Sequence, residues 1–221
     1  ALTGDDARES SRTSETARPD ESYPIIQELE IPMASLTDKK IIIVGGNSGI
    51  GLGVARAALE SGAKVVIVGR SAEKLEAAGR ALDAGNRLAS IAADMTIEAD
   101  VARMFDQVGL FDHLVSTAGA PPPGDPIAET DIEVARRFVD NKLIGALMLA
   151  KHAVRHLNAD GSMTFTSGIN KDKPPVPGGT VVTAIAGSFG YFARALALEL
   201  GPQRVNVVSP GWVDTPMWDE L

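Results

Sequence analysis

The run Ile41-Ile42-Ile43-Val44-Gly45-Gly46-Asn47-Ser48-Gly49-Ile50-Gly51 constrains the fold more than any other part of the chain. Four β-prone residues enter a glycine-rich turn, and residues 52–59 then read as the opening turns of a helix. A strand that delivers its carboxyl end to a glycine loop and a helix N-terminus is suited to hold a pyrophosphate. Backbone N–H groups point at the anion, the helix dipole favours it, and the missing side chains let the backbone come close. The context on both sides of the glycines is what separates this run from an ordinary glycine-containing βα turn.

Apolar runs and amphipathic stretches alternate after this point. Strands are predicted at 40–44, 64–68, 88–92, 112–116, 162–166 and 204–208, and helices at 50–61, 71–82, 97–107, 127–157 and 181–200. The 127–157 stretch should hold two helices with a break near Thr130-Asp131, Asp131 capping the second. Strands separated by helices imply right-handed βαβ crossovers, so the fold class is α/β: a Rossmann-type doubly wound parallel sheet with helices on both faces, in a single domain. Function should sit in the loops that leave the carboxyl ends of the strands.

Residues 1–34 carry a net charge of −5, which leaves −3 of the total −8 for residues 35–221. The first part is rich in Ser, Thr, Asp and Glu with little to bury, and reads as a flexible acidic tail followed by an extended segment. The acidic balance argues against a nucleic-acid partner. The chain has no cysteine, which excludes disulfides and thiolate metal sites. His152 and His156 are four residues apart without a third ligand nearby, so no metal site is expected. No signal peptide and no apolar run of membrane length is recognised, giving a cytoplasmic expectation without a membrane partner.

The second strand ends Val68-Gly69-Arg70-Ser71, where an NAD site would carry an acid for the ribose hydroxyls. Arg70 and Ser71 suit a 2′-phosphate instead, so the expected cofactor is NADP(H).

With these residues in view, the chain resembles the short-chain dehydrogenase/reductases from about Leu36 onward. Gly45, Gly49 and Gly51 fit that family's Gly-x-x-x-Gly-x-Gly spacing, with Val44 where a threonine is common. Asp94-Met95 stands at the adenine-contacting aspartate, and Ser116-Thr117-Ala118-Gly119 at the Asn-Asn-Ala-Gly segment. Asn141 with Gly145 resembles the helical asparagine segment, and Ser209-Pro210-Gly211-Trp212-Val213-Asp214-Thr215-Pro216 the Pro-Gly loop that holds the nicotinamide. The resemblance implies cofactor contacts from Gly45, Asn47, Ser48, Gly49, Ile50, Gly51, Arg70, Ser71, Asp94, Met95, Thr117, Ala118, Gly119, Pro210, Gly211, Val213 and Thr215. It also implies a homotetramer built on 127–157 and 181–200, and a C-terminal substrate-covering segment that is absent after Leu221.

The family's chemistry uses a serine, a tyrosine and a lysine four residues after the tyrosine. Aligned on Leu196-Ala197-Leu198-Glu199-Leu200, the tyrosine and lysine positions fall on Val182 and Ala186, and the serine position, counted along Gly161 to Gly168, falls on Gly168. Ser167 lies one residue early, and Tyr191 lies far along the helix. Losing a positioned proton donor costs a ketone reductase ~10² to 10⁴ in rate. Reduction of a cyclic iminium gives a neutral amine and needs no such donor, only a carboxylate near the cation. The expected catalytic set is therefore Asp172, in the loop after the fifth strand, with Arg137 one helical turn before Asn141 and Asn141 itself. The combination is similar to the fungal reductase/Diels–Alderases of bicyclic diazaoctane indole alkaloid pathways. It implies NADPH-dependent reduction of an aromatic or polycyclic iminium, with a cycloaddition closed in the same pocket. The alternatives are a non-redox isomerase or cyclase, and an inactive NADP-binding homologue. Pro121-Pro122-Pro123-Gly124 is expected to shape the substrate entrance; Trp212 and Trp218 flank the Pro-Gly loop, and Trp218 is expected to line a pocket for an aromatic substrate or simply to pack.

Overall fold

The computed structural model describes residues 35–119 and 123–216. Six strands form one parallel sheet: β1 (Lys40–Val44), β2 (Lys64–Gly69), β3 (Leu88–Ala92), β4 (Phe111–Ser116), β5 (Leu157–Thr166) and β6 (Arg204–Val208). Their spatial order is β3-β2-β1-β4-β5-β6. The chain therefore winds outward from β1 in one direction, returns, and winds out in the other, leaving a crevice between the carboxyl ends of β1 and β4. Helices α1 (Gly49–Glu60), α2 (Ala72–Leu82), α3 (Glu98–Val108), α4 (Ile132–Val139), α5 (Gly145–Ala153) and α6 (Thr180–Leu200) complete the described fold.

The period-two alternation of a strand explains the two faces. On β1, Ile42 and Val44 join a core with Phe105 of α3, Leu149 of α5 and Phe189 of α6. Ile41 and Ile43 point the other way, against Ala55, Ala58 and Leu59 of α1 and Leu75 of α2. A strand buried on both faces has no polar side to show, hence the unbroken apolar run. At the amino ends of the strands, Asp112 accepts from the Lys40 N–H at 2.8 Å, from Asn158 at 3.0 Å and from the Lys39 ammonium at 3.2 Å, which also meets Asp160 at 3.3 Å.

The predicted elements lie within a residue or two of the observed ones, with three differences. β5 begins at Leu157 rather than 162, and the helix before it ends at Ala153 rather than 157, because Phe111 pairs with Leu157 before a register shift brings His113 opposite Ser162. The 127–157 stretch divides as expected: a short 3₁₀ turn at Ile127–Glu129, then α4, whose Asp131 accepts from the N–H groups of Glu133 and Val134. It then widens into a π turn at Asp140–Ile144 before α5, which periodicity did not foresee. Finally, α6 is long and apolar enough to cross a membrane by length and composition, contrary to the expectation that no such run exists. Val182, Ala186, Phe189 and Ala193 form its buried stripe, and the helix packs on β6 and the turn after β5. The tail 1–34, Pro121, Pro122 and Trp218 lie outside the described residues.

Candidate active site

A cavity of about 830 Å³ opens at the carboxyl ends of the strands. Its floor is the β1–α1 turn. Gly45 adopts φ +85° and Gly49 φ +49°, a region that favours glycine. A Cβ on Gly51 would sit 2.1 Å from the Gly45 carbonyl oxygen and 2.5 Å from Thr117 Oγ1, so only glycine lets α1 close onto the turn. Thr117 braces the turn from β4: its N–H donates to the Val44 carbonyl at 2.9 Å and its hydroxyl to the same oxygen at 3.2 Å. The first turn of α1 contains no acid, and its Ser48 cap makes no side-chain bond, so the helix N-terminus meets the cavity with its N–H groups uncovered by side chain.

Beside the floor, Arg70, Ser71 and Lys74 line the cavity where β2 passes into α2. Ser71 caps α2 by accepting from the Lys74 N–H at 3.2 Å, which leaves its hydroxyl proton free to donate. Lys74 escaped the sequence reading. Its signal was its place three residues after the cap, where a side chain on the first turn returns toward the strand end. Asp94 is held by Thr96, which donates from both its N–H at 2.9 Å and its hydroxyl at 2.8 Å. Gly145 lets α5 approach this loop, since a Cβ there would lie 2.5 Å from Met95 Cε.

The far wall is built by the ends of β4, β5 and β6 and by α6. Ser167 N–H donates to Val208 and Ile169 N–H to Pro210, tying the loop after β5 to the Pro-Gly loop. All the residues expected to contact the dinucleotide line this one cavity, from Gly45 and Asn47 round to Pro210, Gly211, Val213 and Thr215. So do Asn141, Gly168, Val182 and Ala186. A Cβ on Gly168 would meet nothing nearer than 3.9 Å, so room for a side chain exists there. The Ser167 hydroxyl is spent on the Ala186 carbonyl at 2.8 Å. Tyr191 is 80% exposed, and no tyrosine is among the described lining residues.

Asp172 and Arg137 are placed elsewhere. Asp172 ends the 3₁₀ turn Ile169–Lys171 with its carboxylate exposed and paired to the Lys171 ammonium; Ile169 and Asn170 line the cavity, but Asp172 does not. Arg137 is exposed on α4. The one-turn relation that joined it to Asn141 assumed a regular helix, and the π turn from Asp140 breaks that register. Asn141 does reach the cavity wall, where its buried Oδ1 lacks a hydrogen-bond partner.

The residue after it, Lys142, was also missed. Its ammonium donates to the Thr166 carbonyl at 3.1 Å and the Ala118 carbonyl at 3.4 Å, bridging the exits of β5 and β4. Burial pushes its pKa down to about 8. Among the described residues, no group of three or more His, Asp or Glu side chains is arranged to hold a metal. His152 pairs with Glu98 and His156 with Asp106 instead.

Comparison with known proteins agrees with this geometry. Residues 44–221 match the family model described as enoyl-(acyl carrier protein) reductase. The cis-4-hydroxycyclohexanecarboxylate dehydrogenase of Sinomonas cyclohexanicum is 35% identical over 83% of this chain and 76% of its own. The chain belongs to the short-chain dehydrogenase/reductase superfamily. Among solved structures, a short-chain dehydrogenase/reductase from Mycobacterium ulcerans superposes with a TM-score of 0.78 at 32% identity, covering 82% of this chain and 70% of that one. The MalC reductase/Diels-Alderase from Malbranchea aurantiaca superposes with a TM-score of 0.76 at 30% identity, covering 84% and 77%. The superfamily uses nicotinamide cofactors, and the glycine floor, the open α1 N-terminus and the orphaned Asn141 oxygen fit one here.

Proposed function

We propose that the protein is an NADP(H)-dependent oxidoreductase acting on a small apolar substrate. The observation that carries the cofactor choice is the meeting of Arg70, Ser71 and Lys74 at the end of β2, with no acid among them. Two cations and a hydroxyl donor favour a phosphate dianion over a bare ribose, which an acid would have claimed. When bound, the nicotinamide supplies a hydride to an electrophilic carbon or removes one. The glycine floor and α1 hold the pyrophosphate, and Thr117, Asn141 and the Pro-Gly loop orient the ring end. Val182, Ile185 and Phe189 exclude water from the substrate side.

Fluorescence titration tests this reading. NADPH should bind ~10- to 100-fold more tightly than NADH, a difference of ~1.4–2.8 kcal/mol. The double variant Arg70→Ala/Lys74→Ala should lose that preference while keeping NADH affinity. Equal affinity for the two cofactors in the unaltered protein would sink the proposal.

The superposition with MalC, together with a lining free of tyrosine among the described residues, favours a second reading of the substrate as a cyclic iminium, with a cycloaddition to follow. Asp172 would then have to swing from Lys171 toward the cavity past Asn170. Consumption of NADPH with a dihydroisoquinolinium, lost in Asp172→Ala, is the outcome this reading requires.

A further inference from the structure

Four ionisable residues line the described cavity. Arg70, Lys74 and Asp94 belong to the ends of β2 and β3. Lys142 alone lies at the other end, among the exits of β4 and β5 and the apolar flank of α6. An ammonium ion has three N–H donors. Two are taken by the Thr166 and Ala118 carbonyls, and the third meets no acceptor among the described residues. No carboxylate from β4, β5, α5 or α6 pairs with it, and desolvation is the one cause that shifts it. Gly119 keeps the lane open: a Cβ there would lie 3.0 Å from Lys142 Cε and 3.1 Å from Nζ. Asn141 and Lys142 both lie in the π turn and both reach the cavity.

We propose that Lys142 is the proton donor of this site, and that the substrate is a neutral ketone rather than a cation. The inference rests on the hydride-transfer reading above and narrows its substrate. An uncompensated ammonium fixed in apolar surroundings repels a cationic iminium and stabilises negative charge growing on an oxygen. The carbonyl carbon gains a hydride from the reduced nicotinamide, the C=O π pair takes the proton from Lys142 Nζ, and water returns a proton to the resulting amine. Ketone, reduced cofactor and one proton thus become alcohol and oxidised cofactor. Burial supports the role, because an amine near pH 8 is charged at neutrality yet surrenders its proton readily.

The test uses the full chain with NADPH and a panel of cyclic ketones headed by cyclohexanone, beside the variants Lys142→Met and Lys142→Arg, with thermal melts to confirm folding. For the unaltered protein kcat/KM should fall about tenfold per pH unit above pH ~8. Lys142→Met should lose ~10² to 10⁴ in kcat and show no limb near 8. Lys142→Arg, which does not deprotonate in this range, should be equally slow and equally flat. Both should bind NADPH as the unaltered protein does. Without any cofactor, ¹³C spectra of ε-labelled lysine should show one resonance titrating well below the rest and missing from Lys142→Met. The proposal is overturned by a Lys142→Met enzyme that keeps its rate or pH limb, by lysines that all titrate together, or by NADPH-bound protein that reduces no ketone in the panel. If NADPH fails to bind at all, the hydride-transfer reading falls with it.

Discussion

Gly51 shows how far one residue's missing side chain reaches. Its Cα hydrogen faces the Gly45 carbonyl and the Thr117 hydroxyl, the atoms that shape the floor of the cavity. Gly51→Ala must push α1 off that turn, at a cost of ~1–3 kcal/mol by overpacking, and should abolish NADPH binding. Gly53, two residues on, meets nothing within 4 Å. Gly53→Ala should instead raise stability by up to ~1 kcal/mol through helix propensity, with cofactor affinity intact. Urea midpoints and a fluorescence titration on the pair separate the two effects, and equal behaviour would refute the close-packing account. Gly51 was legible in the sequence because the fold leaves the backbone little choice there. Lys142 was not, because its place depends on the carbonyls of Ala118 and Thr166 at the exits of β4 and β5, far away in sequence. Its depressed pKa carries a sign for stability as well. The folded value of about 8 lies below the ordinary 10.5, so between those pH values the unfolded chain binds the extra proton. The penalty of a buried charge is present in full below pH ~8 and relieved as pH rises through that window, by on the order of 3 kcal/mol.

At the scale of elements, the strands and most helix bounds followed from apolar runs and caps. Asp131 is the clearest case. It was legible as a cap from its place before an amphipathic stretch, and in the fold it accepts from Glu133 N–H at 2.7 Å and Val134 N–H at 3.2 Å. Asp131→Ala should cost ~1 kcal/mol of stability, and Asp131→Asn much less, because the amide oxygen still caps. A shift of the urea midpoint for both alike would contradict the cap. The early start of β5 has a different origin, a contact between distant segments: Gly161 must be bare because a Cβ there would lie 2.6 Å from the Asp112 carbonyl oxygen. Local periodicity holds no record of such constraints.

For the molecule as a whole, α5 and α6 leave large apolar residues in water: Leu147, Tyr191 and Leu198 are each more than half exposed. Large apolar residues left exposed on helices mark a surface that another copy can cover. We expect a homo-oligomer in light scattering and a monomer for Tyr191→Glu/Leu198→Glu; a single-chain mass for the unaltered protein would refute the interface. The doubly wound architecture was legible from the alternation of runs, and with it the end of the sheet that carries the cavity. The chemistry at that end was legible only for the dinucleotide, because glycine turns obey backbone rules while proton donors obey packing. The opposite end has its own use. Asp112 gathers Lys39, the Lys40 N–H and Asn158 into an ionic seam at the amino ends of β1, β4 and β5. A five-residue strand spans roughly 17 Å, so that seam and the cavity mouth are separated by the thickness of the sheet's long dimension. A linker anchored beside Asp160, which is exposed on this seam, would hold the protein to a solid support with its mouth turned toward the liquid.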